Sequence, residues 1–532
     1  MTTNPFDDIK LESLVDQIPH LLADTQRLNQ AFLVRLKAAL SQAKGFSFSH
    51  PNNQDEEVYK SRNYIGNFTK TLPHDAVGEV KPDAYLDLLK ALQTGKFADF
   101  ESIPLGGTAK LTDPQGAYAF ELEGTDSHGF TMPPAPAFSS AQEASEIAEV
   151  YWQALTRDVP FSQYDTHRLT QDASADLSKF SDFRGPKIAG QVTPKTLFRG
   201  DTSGDLAGPY ISQFLWAAVP YGTSDGTIPV PTIEQRMRFA PSGQDFLTNY
   251  QEWLDIQNGK PPSKSTQLDP QARYIHSSRD ITEFVHRDYP YSTFVNACLI
   301  LLTYDGSKAR APANPYLKAT RQKGFTTFGA PDVLDLVARV AVEALKAAWY
   351  QKWLVHRRLR PEEFGGWIDN QLNGRASYPI NLEILNSQVL KEVSKKYGSY
   401  LLPQAFPEGC PTHPSYPAGH ATYSGAMTTV LKAFFNESFV IPHPVVASDD
   451  GLSLLPYKGS DILTVGGELN KLAANIAIAR DAAGVHWRSD GIEGLKLGEA
   501  VAIRILQDRK TLYNEPFSGF TLTKFDNTTI VI

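Results

Sequence analysis

The sequence has 532 residues and a mass of 58.8 kDa, with 41% hydrophobic and 21% charged residues. That is ordinary for a globular chain long enough to build two packed lobes. A net charge of −8 with no basic stripe or tail argues against a nucleic-acid partner. Two cysteines, Cys298 and Cys410, exclude a disulfide framework and leave a single pairing open.

The opening stretch "MTTNPFDDIKLESLVDQIPH" has neither the basic start nor the apolar run of a signal peptide. No apolar run is long enough to span a bilayer. The expectation is a soluble chain, cytoplasmic by default, with export by another route left open. "DAYLDLLKALQTGKFADFESI" has apolar residues at helical spacing and a stop at Gly95. Residues 105–138 alternate, with Gly and Pro between, and predict a short hairpin or two plus a loop. "SSAQEASEIAEVYWQALTRDVPF" predicts a Ser-capped helix with Ile147, Val150 and Trp152 on its apolar positions.

Residues 160 to 275 predict irregular structure, and "NGKPPSKSTQLDPQARYIHSSRD" a surface connection. After it, helical patterns dominate, several of them apolar around most of their circumference, as in the interior of bundles. The predicted fold class is mainly α, built of helical bundles, with minor β in the N-terminal half. The predicted division is 1–275, mainly helical with short hairpins, and 276–532, a helical-bundle part carrying the candidate site.

Three segments of the second part place titratable residues beside structural punctuation. In "YQKWLVHRRLRPEEFGGW", Lys352 lies near a helix end and Arg360 precedes Pro361, which biases it out of helical geometry. Taken alone, this basic cluster reads as a solvated helix C-terminus. In "CPTHPSYPAGHATYSGA", His413 and His420 bracket a Pro-rich turn. Gly419 there allows close backbone approach, and a helix start offers free N–H groups to an anion. In "ARDAAGVHWRSDG", Arg480 and His486 flank Gly484, and Asp490 lies one helical turn beyond His486. Together the three supply fixed positive charge at Lys352, Arg360 and Arg480, amide donors at Gly419, and imidazoles at His413, His420 and His486. Such a set repels a divalent cation and suits a multiply charged tetrahedral oxyanion.

The strings "KWLVHRRLRP", "PAGH" and "RDAAGVH", in that order, resemble the vanadium-dependent haloperoxidases and the acid phosphatases that share their oxyanion site. "QKWLVHRRLRPEE", "PEGCPTHPSYPAGHA" and "GVHWRSDG" are most similar to the red-algal and cyanobacterial bromoperoxidase branch. "FRGDTSGDLAGPYISQFL" and "STFVNACLILL" carry the likeness into the first half.

The resemblance implies a vanadate cofactor, with His486 as the vanadium ligand and Lys352, Arg360 and Arg480 neutralising its oxygens. Gly419 would donate its amide, His420 would act as acid/base group, His413 would tune either His420 or the vanadate, and Lys352 would also polarise bound peroxide. It implies oxidation of bromide and iodide by hydrogen peroxide to hypohalous acid, leading to halogenation of small organic compounds. No haem, flavin or calcium is expected, and "PANPYLKATRQKGF" lacks a run of carboxylates. It also implies a homo-oligomer, a dimer at least, with a dodecamer in the family's range.

The family has Ser where this chain has Ala418, which predicts weaker vanadate binding or altered peroxide activation. Asp288 or Asp490 is expected to orient Arg480, and Gln351 and His356 to flank Lys352. Competing readings are a phosphate-monoester hydrolase using the same pocket, a helical assembly protein that binds an oxyanion without catalysis, and a three-histidine zinc or iron site.

Overall fold

The computed structural model describes residues 26–44, 46–47, 49–222, 230–304 and 308–532. The expectation about a leader in the first twenty residues lies outside the described residues. Eight helices position the site: α1 (Ala141–Thr156), α2 (Ser278–Arg287), α3 (Ser292–Thr303), α4 (Ala330–Tyr350), α5 (Pro361–Leu372), α6 (Gly419–Phe434), α7 (Val465–Ala482) and α8 (Arg488–Lys510). Local chemistry sets several of their starts. Ser140 Oγ accepts from the Glu143 amide at 3.1 Å to cap α1, and Thr464 Oγ1 accepts from Gly467 at 3.2 Å to cap α7. Pro331 and Pro361 sit in the first turns of α4 and α5, where a missing N–H leaves no bond unmade.

The helices α3, α4, α6, α7 and α8 enclose a core that includes Leu336, Val340, Met427, Val430, Leu472, Ile476 and Val501. Along the α6–α8 contact the two backbones touch. A Cβ on Gly498 would sit 1.9 Å from the Thr422 carbonyl oxygen, and one on Gly425 would sit 2.1 Å from that of Leu495. Only residues without a side chain allow that approach. A second core packs Ile147, Tyr151 and Trp152 of α1 against Phe364 and Trp367 of α5 and against Trp487. Both cores take residues from each side of residue 275: Ile211 and Phe214 enter the first, and Tyr59 and Trp253 the second.

Strands are few and short. Among the described residues three antiparallel pairs form, at 219–220 with 232–233, 445–447 with 454–456, and 521–523 with 529–531. The hairpin expected over 105–138 does not form. That segment is loop with two 3-10 turns, Pro114–Tyr118 and Ser127–Gly129. Phe120 is 79% exposed and Leu122 95%, so the alternation has no buried face to serve. The stretch expected to be irregular holds two helices, Arg168–Leu177 and Tyr250–Gln257. The Asn249 side chain caps the second by accepting from the Gln251 and Glu252 amides. Among the described residues no helix is long and apolar enough to cross a membrane.

Candidate active site

Three helix breaks face one another. In the first, α4 runs into a π-helical turn, Gln351–His356, which Arg357 ends with φ 44°. Lys352 stands in this wide turn, a geometry frequent at functional positions. Arg360 follows in extended conformation (φ −95°, ψ 156°), as its position before Pro361 requires. The second break is the Pro-rich segment leading to Gly419, where α6 begins. The third lies between α7 and α8. Gly484 turns the chain at φ +87°, and a Cβ there would meet Gln404 Nε2 at 2.7 Å. His486 therefore sits in the connection, not on a helix face as its spacing to Asp490 suggested. Asp490 lies in the first turn of α8 and accepts the Trp487 amide at 3.2 Å, which brings its carboxylate back to His486.

Lys352, Arg360, Arg480 and His486 are each at most 5% exposed. Lys352 Nζ donates to the carbonyls of Pro414 and Ser415, both at 2.7 Å. Arg360 donates to the His413 carbonyl (3.0 Å), the Val485 carbonyl (2.8 Å) and His486 Nε2 (2.9 Å), and His413 Nδ1 stands 3.1 Å from both its guanidinium and the Pro414 carbonyl. Arg480 donates to the Val285 carbonyl at 3.0 Å, and its Nε is buried without a partner. None of the three forms an ion pair among the described residues.

Buried cations without counter-charges are costly. Burial, and then Arg360, hold the Lys352 ammonium well below its ordinary 10.5. Burial lowers Arg360 to about 10 and lowers Arg480 as well. An anion with several charged oxygens is the guest that offsets this. At the start of α6 the Gly419 amide has no acceptor one turn back, as expected of a first helical residue. These donors fit vanadate. Among the described residues no group of three or more His, Cys, Asp or Glu stands where it could hold a metal cation.

The imidazoles are held in distinct states. His486 Nδ1 donates to Asp490 Oδ2 at 2.7 Å, so Nε2 keeps its lone pair on the side of Arg360. Burial and the neighbouring Arg360 and Lys352 hold its pKa well below 6.5. His413 stacks near Trp349 with centroids 4.8 Å apart, and burial and Lys352 keep it neutral. His420 Nε2 lies 3.3 Å from Asp288 Oδ1. Burial and Arg480 lower its pKa, and Asp288 opposes them.

Neither expected carboxylate bonds Arg480. Asp288 serves His420 and Tyr423, and Asp490 serves His486, Ser415 and Arg358. Gln351 and His356 are packed: Gln351 Nε2 donates to the Phe130 carbonyl at 2.8 Å, and His356 lies edge-on to Tyr416. Cys298 and Cys410 are both buried and free. The basic cluster does not face water. Arg357 pairs with Glu56, and Arg358 is 1% exposed between Glu143, Glu146 and Asp490.

Sequence reasoning missed Ser415, which donates to Asp490, and Trp349, which lies 3.3 Å from where a Gly419 Cβ would stand. It also missed the supporting role of Arg358.

Residues 334–515 match the family described as the VCPO second helical-bundle domain. A vanadium-dependent bromoperoxidase of Ascophyllum nodosum is 35% identical over 538 residues, covering 95% of this chain and 94% of the relative. One of Corallina officinalis is 36% identical, covering 95% of this chain and 98% of the relative. The homohexameric structure of a second vanadate-dependent bromoperoxidase from Ascophyllum nodosum superposes with a TM-score of 0.88 at 33% identity, covering 95% of this chain and 90% of that one.

Proposed function

This chain belongs to the vanadium-dependent bromoperoxidase family, and from that premise we propose how its own residues serve a vanadate-dependent haloperoxidase reaction. Lys352, Arg360 and Arg480 hold the oxygens of vanadate, the Gly419 amide donates to one of them, and His486 Nε2 is the vanadium ligand. When bound, vanadate supplies a Lewis-acidic centre that makes hydrogen peroxide electrophilic toward halide without a change in its own oxidation state.

The protein supplies charge, orientation and proton transfer. Asp490 fixes the His486 tautomer and strengthens its free nitrogen as a donor. Lys352, whose ammonium burial and Arg360 hold well below 10.5, gains from negative charge brought beside it and stabilises charge that develops there. His420, whose pKa burial and Arg480 push below 6.5 so that it is neutral at pH 7, takes the proton of the incoming peroxide, and Asp288 stabilises the imidazolium that results. The His413 carbonyl accepts from Arg360 Nε, and its ring lies beside the same guanidinium, so His413 holds Arg360 in place.

The reading rests on one observation above the others: three buried cations lie around a carboxylate-oriented histidine and have only neutral acceptors. We propose bromide, the halide in the relatives' names, and with it iodide, and a homo-oligomeric assembly, in line with the hexameric neighbour. The proposed cofactor is vanadate alone, without haem, flavin or calcium.

The test sets two activities side by side. The vanadate-loaded protein brominates a dione dye precursor with peroxide and bromide, and the vanadate-free protein hydrolyses a phosphate monoester far more slowly. Dominant ester hydrolysis with no bromination would favour the hydrolase reading.

A further inference from the structure

Arg480 differs from the other two cations in how little holds it. Lys352 has two carbonyl acceptors, and Arg360 has two carbonyls and the His486 imidazole. Arg480 has one bond, to the Val285 carbonyl, and a buried Nε with no partner. A guanidinium bonded at one corner is free to swing about it unless something fixes its plane.

Phe406 is the group in place to do so. The Arg480 Cζ lies 5.6 Å from its ring centroid, within cation–π range. Phe406 is 1% exposed and packs in a small cluster with Ala405, Cys410, Ala483 and Val485. The His286 imidazole stacks on the same ring, with centroids 3.8 Å apart and planes 13° from parallel. A ring that close covers one face of Phe406 and leaves the remainder to Arg480.

His286 is anchored in turn. Its Nε2 pairs with Glu408, and the Glu408 carbonyl accepts from Lys70 Nζ at 2.8 Å. Lys70 is itself locked to Glu362, 2.9 Å away in the first turn of α5. The order Glu408, His286, Phe406, Arg480 stands where a buried arginine ordinarily has a carboxylate.

We propose that Phe406, backed by His286 and Glu408, is the positioning group that fixes the Arg480 guanidinium plane for the oxyanion. This rests on the reading that Arg480 binds that anion. The ring does not touch the anion; it acts through the arginine.

The test is calorimetric binding of orthovanadate to the vanadate-free full-length protein, with no turnover involved. Arg480→Ala sets the full loss. Phe406→Leu, which keeps an apolar side chain and removes the ring, is expected to weaken binding about fivefold to thirtyfold. Phe406→Tyr keeps the ring and is expected to bind within about twofold of the native protein. That rescue separates the ring's electrostatic face from plain core packing. His286→Ala, on a partly exposed side chain, removes the backing without emptying the core and is expected to weaken binding about threefold.

If Phe406→Leu and His286→Ala both bind vanadate as tightly as the native protein while Arg480→Ala does not, the positioning role is overturned. If Arg480→Ala itself binds as tightly as the native protein, Arg480 is not an anion ligand, and the inference falls with that assignment.

Discussion

Ala418 closes the turn before α6 with its side chain fully buried and its amide donating to the Asp490 carbonyl at 3.0 Å. It is the helix N-cap and caps nothing. A hydroxyl there would accept from a first-turn amide, worth about 0.5–2 kcal/mol. Its proton would be available to the anion, and a hydrogen bond to a charged group is worth about 1.5–3 kcal/mol. Ala418→Ser is therefore expected to raise the melting temperature of the empty protein and to tighten vanadate binding about tenfold. Equal vanadate affinity in the two proteins would contradict this.

The depressed cations give a pH prediction of definite sign. Lys352 in the empty site sits well below 10.5, and a bound anion returns it toward that value. Binding then favours the protonated form, so anion affinity falls and proton uptake rises as pH climbs toward 10.5. Sulfate, whose charge is constant over this range, should show that uptake when titrated in buffers of different ionisation heat. Zero uptake across the range would remove Lys352 from the anion's surroundings.

At this scale the sequence displayed the charged residues well, because each stands beside a Pro, a Gly or a helix end. It did not display Arg358. Its partners Glu143 and Glu146 are more than two hundred residues away in sequence, so nothing local separates it from a solvated arginine. Arg480 misled for the opposite reason: buried arginines usually bond a carboxylate, and this one bonds a carbonyl and packs against an aromatic ring.

Helix breaks place the site, and helix contacts hold the breaks. Gly498 shows the balance. Alanine is better than glycine in a helix by about 1 kcal/mol. Here, however, the new methyl would lie 1.9 Å from the Thr422 carbonyl of α6, a backbone atom that cannot turn away. Overpacking of about 1–3 kcal/mol outweighs the gain. Gly498→Ala is expected to lower the urea midpoint and, by shifting α6 against α8, to weaken vanadate binding. A midpoint equal to that of the native protein would show that the contact has room.

Long apolar periodicities foretold α1, α4 and α6, since each must bury most of its surface, and one continuous helical pattern spanned what the structure divides into α7 and α8. Alternation over 105–138 misled because it implies a strand only where one face is covered, and Phe120 and Leu122 are exposed. The π-helical turn at Lys352 carries no separate signature, because its composition is that of the helix it extends.

Across the molecule, the two large cores each draw on both ends of the chain, so the site depends on the whole fold. Arg358 spans from α1 to Asp490, and Lys70 ties the N-terminal region to α5 and to the segment that leads to His413. Such distant pairings leave no periodic mark, which is why the sequence conveyed the class of the fold better than the joining of its halves. The measurement that tests the central claim most directly is vanadium content, taken together with peroxide- and bromide-dependent bromination, in the native protein and in His486→Ala. The account predicts about one vanadium per chain with bromination in the native protein, and loss of both in the variant. A variant that keeps its vanadium and its bromination would contradict it.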